Sequence, residues 1–399
     1  MTLVDIISNG GLLCDGDWIE KKDQDVRGKV RLIQLADIGD GEFKDKSSKY
    51  ITLETAERLH CTFLEKGDIL IARLPEPLGR ACIFPLEGAY ITAVDIAILR
   101  IKDISINPQY IMYLINSSTF RSQIKQYESG TTRKRISRKN LEKIEFSLPN
   151  LEIQNRIVAR IEELFSKLDK AVDTLKTTKE QLAVYRQAVL KNAFSCLPET
   201  VEMDKIADMI DPQPSHRTPP EYKNGIPYIG IGDIDYQNKK INFEDARKVS
   251  PEVLDEHLHR YTIHKGDFVM GKIGTIGKPY KIPDEQNYAL SANVILIQPN
   301  KEKIYPEFLF WQFSSSLVTK QLTLGAKATS QPAFGIKKAR LLSIKICELE
   351  KQFKIIKRLE AEMSCCDNIE KTVDAALAQA DTMRQSILKQ AFEGKKDVY

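Results

Sequence analysis

Three groups of residues in this chain have types and spacings that could do chemistry. The segment Gly271-Lys272-Ile273-Gly274-Thr275-Ile276-Gly277-Lys278-Pro279 carries the glycines and lysines of a phosphate loop. It fails the P-loop spacing, because a glycine is needed five residues before the Gly-Lys pair and position 272 is lysine; proline also stands where Ser or Thr is required. Two readings stay open. It is a tight hairpin whose backbone, Lys272, Thr275 and Lys278 meet a nucleic-acid phosphate, or a plain glycine-rich β-turn. The second group is basic. Arg133-Lys134-Arg135 and Arg138-Lys139 follow the turn-forming Ser129-Gly130-Thr131-Thr132, and Lys327, Lys337, Lys338 and Arg340 follow Gly325. Such loops release counterions from a phosphate backbone. Lys223, Lys239-Lys240, Arg247 and Lys248 add charge to the second half, where Arg217 and Pro219-Pro220 point to an ordered loop. The third group is the five histidines, 60, 216, 257, 259 and 264, which show no metal spacing with cysteine and read as solvated or core residues.

Asn107-Pro108-Gln109-Tyr110 is close to the Asn-Pro-Pro-Tyr pattern of amino-methyltransferases. The corresponding Tyr305-Pro306-Glu307-Phe308 keeps the proline and loses the chemistry, so a helix start is the better reading. No nucleophile–base constellation is legible, and no catalytic, cofactor or metal site is expected on this chain.

That comparison uses a repeat of about 198 residues. Leu151-Glu152-Ile153-Gln154 recurs as Leu349-Glu350-Lys351-Gln352, Asp169 as Asp367, Arg186-Gln187 as Arg384-Gln385, and Ala193-Phe194 as Ala391-Phe392. Weaker matches join Lys66-Gly67-Asp68 to Lys265-Gly266-Asp267, Asp37-Ile38 to Asp233-Ile234, and Gln123 to Gln321. Segments 151–194 and 349–392 are helical by period. The first carries Ile157, Ile161, Leu164, Leu168, Ala171, Leu175, Thr178, Leu182, Tyr185 and Val189 at 4-3 spacing. The second carries Ile355, Leu359, Cys366, Ile369, Val373, Ala376, Ala380, Met383 and Ile387, with a break at Glu362. Each rod of about 44 residues would be roughly 66 Å long. The two seams are expected to bury each other within the chain, antiparallel if a pseudo-twofold relates the repeats.

Segments 1–150 and 197–348 read as mixed α/β globular domains. Ile69–Ala72, Ala93–Leu99 and Val294–Ile297 are β-prone, and proline starts short helices at Pro108–Ile115 and Pro306–Phe313. The expected order is domain 1–150, central helix 151–196, domain 197–348, distal helix 349–394 and tail 395–399. The 399 residues are 42% hydrophobic and 29% charged, with a net charge of +4, an ordinary soluble mix. No apolar run is long enough to span a bilayer, and Met1–Asp5 lacks the features of a signal peptide. The seven scattered cysteines contain no Cys-x-x-Cys and fit a reduced, cytoplasmic location.

The whole pattern resembles the specificity subunit of type I restriction–modification systems. The segment Leu148-Pro149-Asn150-Leu151-Glu152-Ile153-Gln154-Asn155-Arg156-Ile157 is similar to that family's Leu-Pro-Pro-Leu-x-x-Gln-x-x-Ile signature. Lys66–Ile69, Lys265–Phe268, Gly274–Lys278 and Ser129–Arg133 are similar too. The second copy departs at Ile346-Cys347, and the first has Leu74-Pro75-Glu76-Pro77-Leu78-Gly79 where Gly-Thr-Ile-Gly would stand. The resemblance implies two target-recognition domains, each reading half of a split, asymmetric site on double-stranded DNA. The paired helices would space the halves, near one helical turn of about 34 Å, and dock two modification subunits. Restriction subunits would add a motor–nuclease. S-adenosylmethionine, ATP and magnesium would sit on those partners, and no membrane is involved. Arg73, Gly79 and Arg80 in the first hairpin, and Lys272, Thr275 and Lys278 in the second, become candidate DNA contacts beside the basic loops. A two-lobed scaffold without nucleic acid and a self-sufficient DNA methyltransferase are the alternatives.

Overall fold

The computed structural model describes residues 1–7, 10–75, 77–131, 133–326 and 333–393. The chain divides into two units, Met1–Leu175 with Asp374–Tyr399, and Lys176–Val373. The division falls inside both long helices, so each unit is a globular part with a stretch of each helix.

In the first unit the strands are β1 (Leu12–Asp15), β2 (Val30–Ile33), β3 (Lys49–Ile51), β4 (Ile69–Ala72), β5 (Ala81–Ile83), β6 (Tyr90–Thr92) and β7 (Ile96–Arg100). Helices α1 (Leu53–Arg58), α2 (Pro108–Asn116), α3 (Ser118–Gln126), α4 (Arg138–Leu141) and the start of α5 (Leu151–Ser195) complete it. An antiparallel sheet has the order β1-β7-β4-β5, and a second sheet β3-β2-β6 pairs β2 with β6 in parallel. The apolar strand runs are explained by burial on both faces. Ile69, Ile71, Ala97 and Leu99 pack with Ile111, Ile115, Phe120 and Ile124 of α2 and α3, while Leu70, Ala72, Ile96 and Ile98 pack with Ile33 and Phe84.

The second unit contains β8 (Glu199–Glu202), β9 (Ala207–Ile210), β10 (Ile226–Ile229), β11 (Ile234–Asp235), β12 (Lys240–Ile241), β13 (Lys248–Val249), β14 (Phe268–Gly271), β15 (Pro279–Lys281), β16 (Ala289–Leu290), β17 (Val294–Pro299) and β18 (Ser343–Ile346). Its helices are α6 (Pro251–Leu258), α7 (Pro306–Phe313), α8 (Ser316–Gly325), α9 (Ile336–Arg340) and part of α10 (Leu349–Glu393). The same two sheets recur, as β15-β14-β17-β9 and β13-β10-β16, the latter again with one parallel pair, β10 with β16. The class is mixed α/β, built twice.

The repeated motifs turn out to be joints. Gly67 and Gly266 hold φ of +96° and +97°, which favours glycine. The neighbouring Asp68, 1% exposed, accepts from Glu65 N–H at 2.8 Å and from Arg100 at 2.7 and 2.8 Å. Asn107 caps α2, its side chain accepting from Gln109 N–H at 2.8 Å, with Pro108 in the first turn. The Asn-Pro-Gln-Tyr segment is thus a helix start.

Gln154 and Gln352 are 1% and 0% exposed. Gln154 accepts from Asn107 N–H at 2.8 Å and donates to the carbonyls of Pro149 at 2.8 Å and Ser105 at 3.3 Å. Gln352 accepts from Tyr305 N–H at 3.0 Å and donates to Cys347 at 2.7 Å and Lys303 at 3.1 Å. The replacement of proline by Cys347 leaves this clamp whole, because only the carbonyl is used.

Within each unit the long helices run antiparallel. In the first, Ile157, Val158 and Ile161 share a core with Leu388 and Ala391, and Arg384 pairs with Asp169. In the second, Leu190 and Phe194 share a core with Leu359 and Met363, and Arg186 bridges Asp367 at 2.7 Å and Glu370 at 2.9 Å. These are the same Asp–Arg pair, duplicated. Ile157, Ile161, Leu168, Leu182, Leu359 and Val373 are buried; Leu164, Leu175, Ile355 and Ile387 are half-buried.

Ile369 and Met383 correct the expected seam. They are 41% and 46% exposed, and Tyr185 is also exposed. Glu370 and Arg384 occupy the adjoining, half-buried positions, paired with Arg186 and Asp169 of the facing helix. An apolar pattern selects the neighbouring hydrophobe instead. Nor does the seam break at Glu362: Met363 is buried at that turn, and Glu362 accepts from Arg358 at 2.7 Å. No helix among the described residues is long and apolar enough to cross a membrane.

Gln352→Ala orphans one N–H and two carbonyls in the second unit. It should lower unfolding stability by about 1–3 kcal/mol in denaturant melts of the full chain, whereas Lys351→Ala at the adjacent exposed position should change it little. Equal effects would contradict the clamp.

Candidate nucleic-acid interface

Each unit carries one turn closed by the same backbone bond. Gly79 N–H donates to Ala72 O at 2.9 Å, and Gly277 N–H donates to Gly271 O at 2.9 Å. Both glycines have positive φ, +79° and +83°. A Cβ on Gly79 would lie 2.2 Å from Ile124 Cδ1, and one on Gly277 would lie 2.4 Å from Leu322 Cδ1. The turns therefore sit flush on α3 and α8, and glycine is required by both shape and space.

A cation–carboxylate pair stands at the base of each turn. Arg73 Nη1 is 3.3 Å from Asp15 Oδ1, and Lys272 Nζ is 2.7 Å from Asp211 Oδ2. Asp15 ends β1, and Asp211 follows β9. The backbone of the basic segment joins at the same residue: Ile136 N–H donates to Arg73 O at 3.1 Å, and Phe334 N–H to Lys272 O at 2.9 Å. Turn, first strand and basic segment are thus tied together in both units. Sequence reasoning missed Asp15 and Asp211. The signal was the strand register, which places both acids at the same end of equivalent strands.

The expected contact residues separate into two sets. Arg80 is 8% exposed and donates to the carbonyls of Ile38 (2.7 Å), Leu35 (2.9 Å), Pro77 (3.2 Å) and Leu74 (3.3 Å). Its guanidinium is used inside the fold. Arg73 also turns inward, to Asp15 and the Val94 carbonyl, and Lys272 is 6% exposed on Asp211. Gly79 is buried. These residues shape the turns rather than face water.

Thr131, Arg133, Lys134, Arg135 and Lys139 are exposed. Their segment is closed by mutual backbone bonds of Ser129 and Arg135 at 2.9 and 2.8 Å, and Lys134 pairs with Glu128. Arg138 is half-buried between Asp15 at 3.6 Å and Glu142 at 2.5 Å. In the second unit Arg217, Thr275, Lys278, Lys337 and Lys338 are exposed. Lys278 lies over the Tyr236 ring at 4.1 Å, and Lys338 donates to Gly325 O at 2.7 Å. Lys239 leaves the patch and pairs with Asp367 on α10 at 2.5 Å. Thr132, Lys327 and the 395–399 tail lie outside the described residues.

The segment after the first strand holds two titratable anchors. Asp17 accepts from Thr62 N–H at 3.1 and 3.3 Å, and burial pushes its carboxyl up to about 6. In the matching place Gln213 bonds His257, which is fully buried and held down to about 4 by desolvation. Among the described residues no group of three His, Cys, Asp or Glu side chains could hold a metal ion.

Comparison with known proteins fits this duplicated frame. The family model described as the type I restriction modification DNA specificity domain matches residues 12–183 and again 198–379. The chain is 25% identical over 303 residues to the type I restriction enzyme EcoBI specificity subunit of Escherichia coli, covering 69% of this chain and 63% of that protein. It is 23% identical over 308 residues to the EcoKI specificity subunit of Escherichia coli strain K12, covering 72% and 65%. These matches span under two thirds of either relative. A solved chain of the type I R-M system superposes with a TM-score of 0.69 at 16% identity, covering 96% of this chain and 98% of that one. The HsdS subunit from Thermoanaerobacter tengcongensis gives 0.55 at 16% identity, covering 97% of each chain. At that identity the two structures establish the fold. The protein is a duplicated DNA specificity-domain chain. It belongs to the family of specificity subunits of type I restriction–modification systems.

The histidine anchor has a signed consequence. Its folded pKa lies below the ordinary 6.5, so stability is full above 6.5 and is lost as pH falls towards about 4. Asp17, raised from 3.8 to about 6, acts oppositely, its contribution being lost as pH rises across that window. The difference between wild type and His257→Gln isolates the histidine. Melting curves of the full chain from pH 7.5 to pH 4.5 should show the steeper loss in the wild type, and parallel pH profiles would contradict the assignment.

Proposed function

We propose that this chain reads DNA sequence on behalf of a type I restriction–modification complex. Each unit sits on the duplex through phosphate contacts from its exposed cations and reads base edges with side chains that differ between the units. The two half-sites therefore differ. The paired helices space them and carry two modification subunits, which methylate adenine with S-adenosylmethionine. Restriction subunits add ATP- and magnesium-dependent translocation and cleavage. This chain holds none of those cofactors, performs none of that chemistry, and works in the cytoplasm.

The observation that carries this reading is the repeated joint. Two units of low mutual similarity each tie a glycine turn, a strand-end carboxylate and a segment leading into exposed lysines or arginines to a single residue, Arg73 or Lys272. A net charge of +4 is no obstacle, since local neutralisation of phosphates sets affinity, at a salt slope of about −0.9 per phosphate.

The test is a genome-wide map of N6-methyladenine in cells expressing this chain with its modification subunits, with the gene intact and deleted. A split motif of two unlike half-sites that disappears on deletion is expected. A methylome unchanged by deletion would overturn the assignment and leave the scaffold reading.

A further inference from the structure

The segment after β9 runs Pro212-Gln213-Pro214-Ser215-His216-Arg217, and its last three residues are exposed. Exposed loops are ordinarily loose, yet His216 keeps a φ of +53°. Asp45, His60, Asn224 and Lys239 share that conformation, so the φ alone does not set the loop apart; what does is that its surroundings hold it.

The surroundings do so from three sides. Beneath the loop, Gln213 is 8% exposed, and its amide nitrogen donates to Ser215 Oγ at 2.9 Å and to Arg217 O at 3.3 Å. Those acceptors fix the amide orientation, so its oxygen faces His257 Nε2 at 2.9 Å. His257 Nε2 must then carry the proton, leaving Nδ1 to accept from the Tyr261 hydroxyl at 2.8 Å. A single neutral tautomer serves both bonds, and burial keeps the ring uncharged at neutral pH. Beside the loop, the His216 ring lies against the Lys272–Asp211 pair, with Nδ1 3.5 Å from Lys272 Nζ and Nε2 3.9 Å from Asp211 Oδ2. Beyond it, Arg247 donates to Pro219 O at 3.0 Å. The first unit anchors the matching segment with Asp17 on Thr62 instead. The frame is shared and the anchor is not, as suits segments that present different groups.

We propose that Pro212–Arg217 is a base-reading loop of the second unit, with Arg217 the specificity-determining residue and His257 a positioning residue acting through Gln213. An arginine on a rigid loop suits bidentate donation to guanine O6 and N7, so the base read is a guanine. The inference rests on the DNA-reading function above.

The test uses the full chain with its modification subunits and maps N6-methyladenine for wild type, Arg217→Ala, His257→Phe and His257→Gln. Arg217→Ala and His257→Phe should relax the same half-site, with discrimination at a G·C position falling by about tenfold or more. The other half-site and the gap should stay as they are. His257→Gln, which can still donate and accept, should restore much of the loss. A merely structural role would lower methylation evenly at every site and leave the motif intact, which would overturn the positioning role. An unchanged motif with Arg217→Ala would overturn the reading role, and that exposed position tests it even if His257→Phe fails to fold. Absence of any motif in the wild type would remove the DNA-reading function itself, a distinct failure.

Discussion

The structure depends on one buried amide, used twice. Gln154 and Gln352 each satisfy one N–H and two carbonyls at the point where a long helix leaves its globular part. A slip of one residue along either helix would break the glutamine's bonds to the N–H and carbonyl of the neighbouring loop, Asn107 and Ser105 in one unit and Tyr305 and Lys303 in the other. The clamp therefore fixes the start of each long helix against the loop that opens α2 or α7. The Asp–Arg pairs are duplicated in the same way, Asp169 with Arg384 in one unit and Asp367 with Arg186 in the other.

Above that frame the two units keep one set of joints and vary what the joints carry. The glycine turn, the cation–carboxylate pair and the backbone bond into the basic segment recur. The anchors beneath the next segment differ, an aspartate in one unit and a glutamine–histidine–tyrosine chain in the other. In the proposed role, a rigid frame with exchangeable contacts would let one design read two unlike sequences.

Much of this frame was legible before any coordinates. The long helices occupy Leu151–Ser195 and Leu349–Glu393 against expected spans of 151–194 and 349–392, because 4-3 periodicity without glycine or proline is a strong signal. Proline placed the starts of α2 and α7 correctly. The seam failed at Ile369 and Met383, where a periodic pattern of apolar residues cannot see the half-buried ion pairs of Glu370 and Arg384 beside them. The site was less legible. Arg80 and Arg133 are both cations near turns, yet one is enclosed by four carbonyls and the other is exposed, a difference set by Leu35 and Ile38 some 40 residues away. Asp15 and Asp211 drew no attention because their partners, Arg73 and Lys272, are distant in sequence and close only once the strands register.

In the proposed role the paired helices are a ruler between two readers, and that claim can be tested without altering either reader. Seven residues removed from α5, together with the seven that face them on α10, keep the seam in phase and shorten the helices by about 10 Å, roughly three base pairs of duplex. The methylation motif of that variant should keep both half-sites and lose about three unspecified bases between them. An unchanged gap with altered half-site bases would contradict the account.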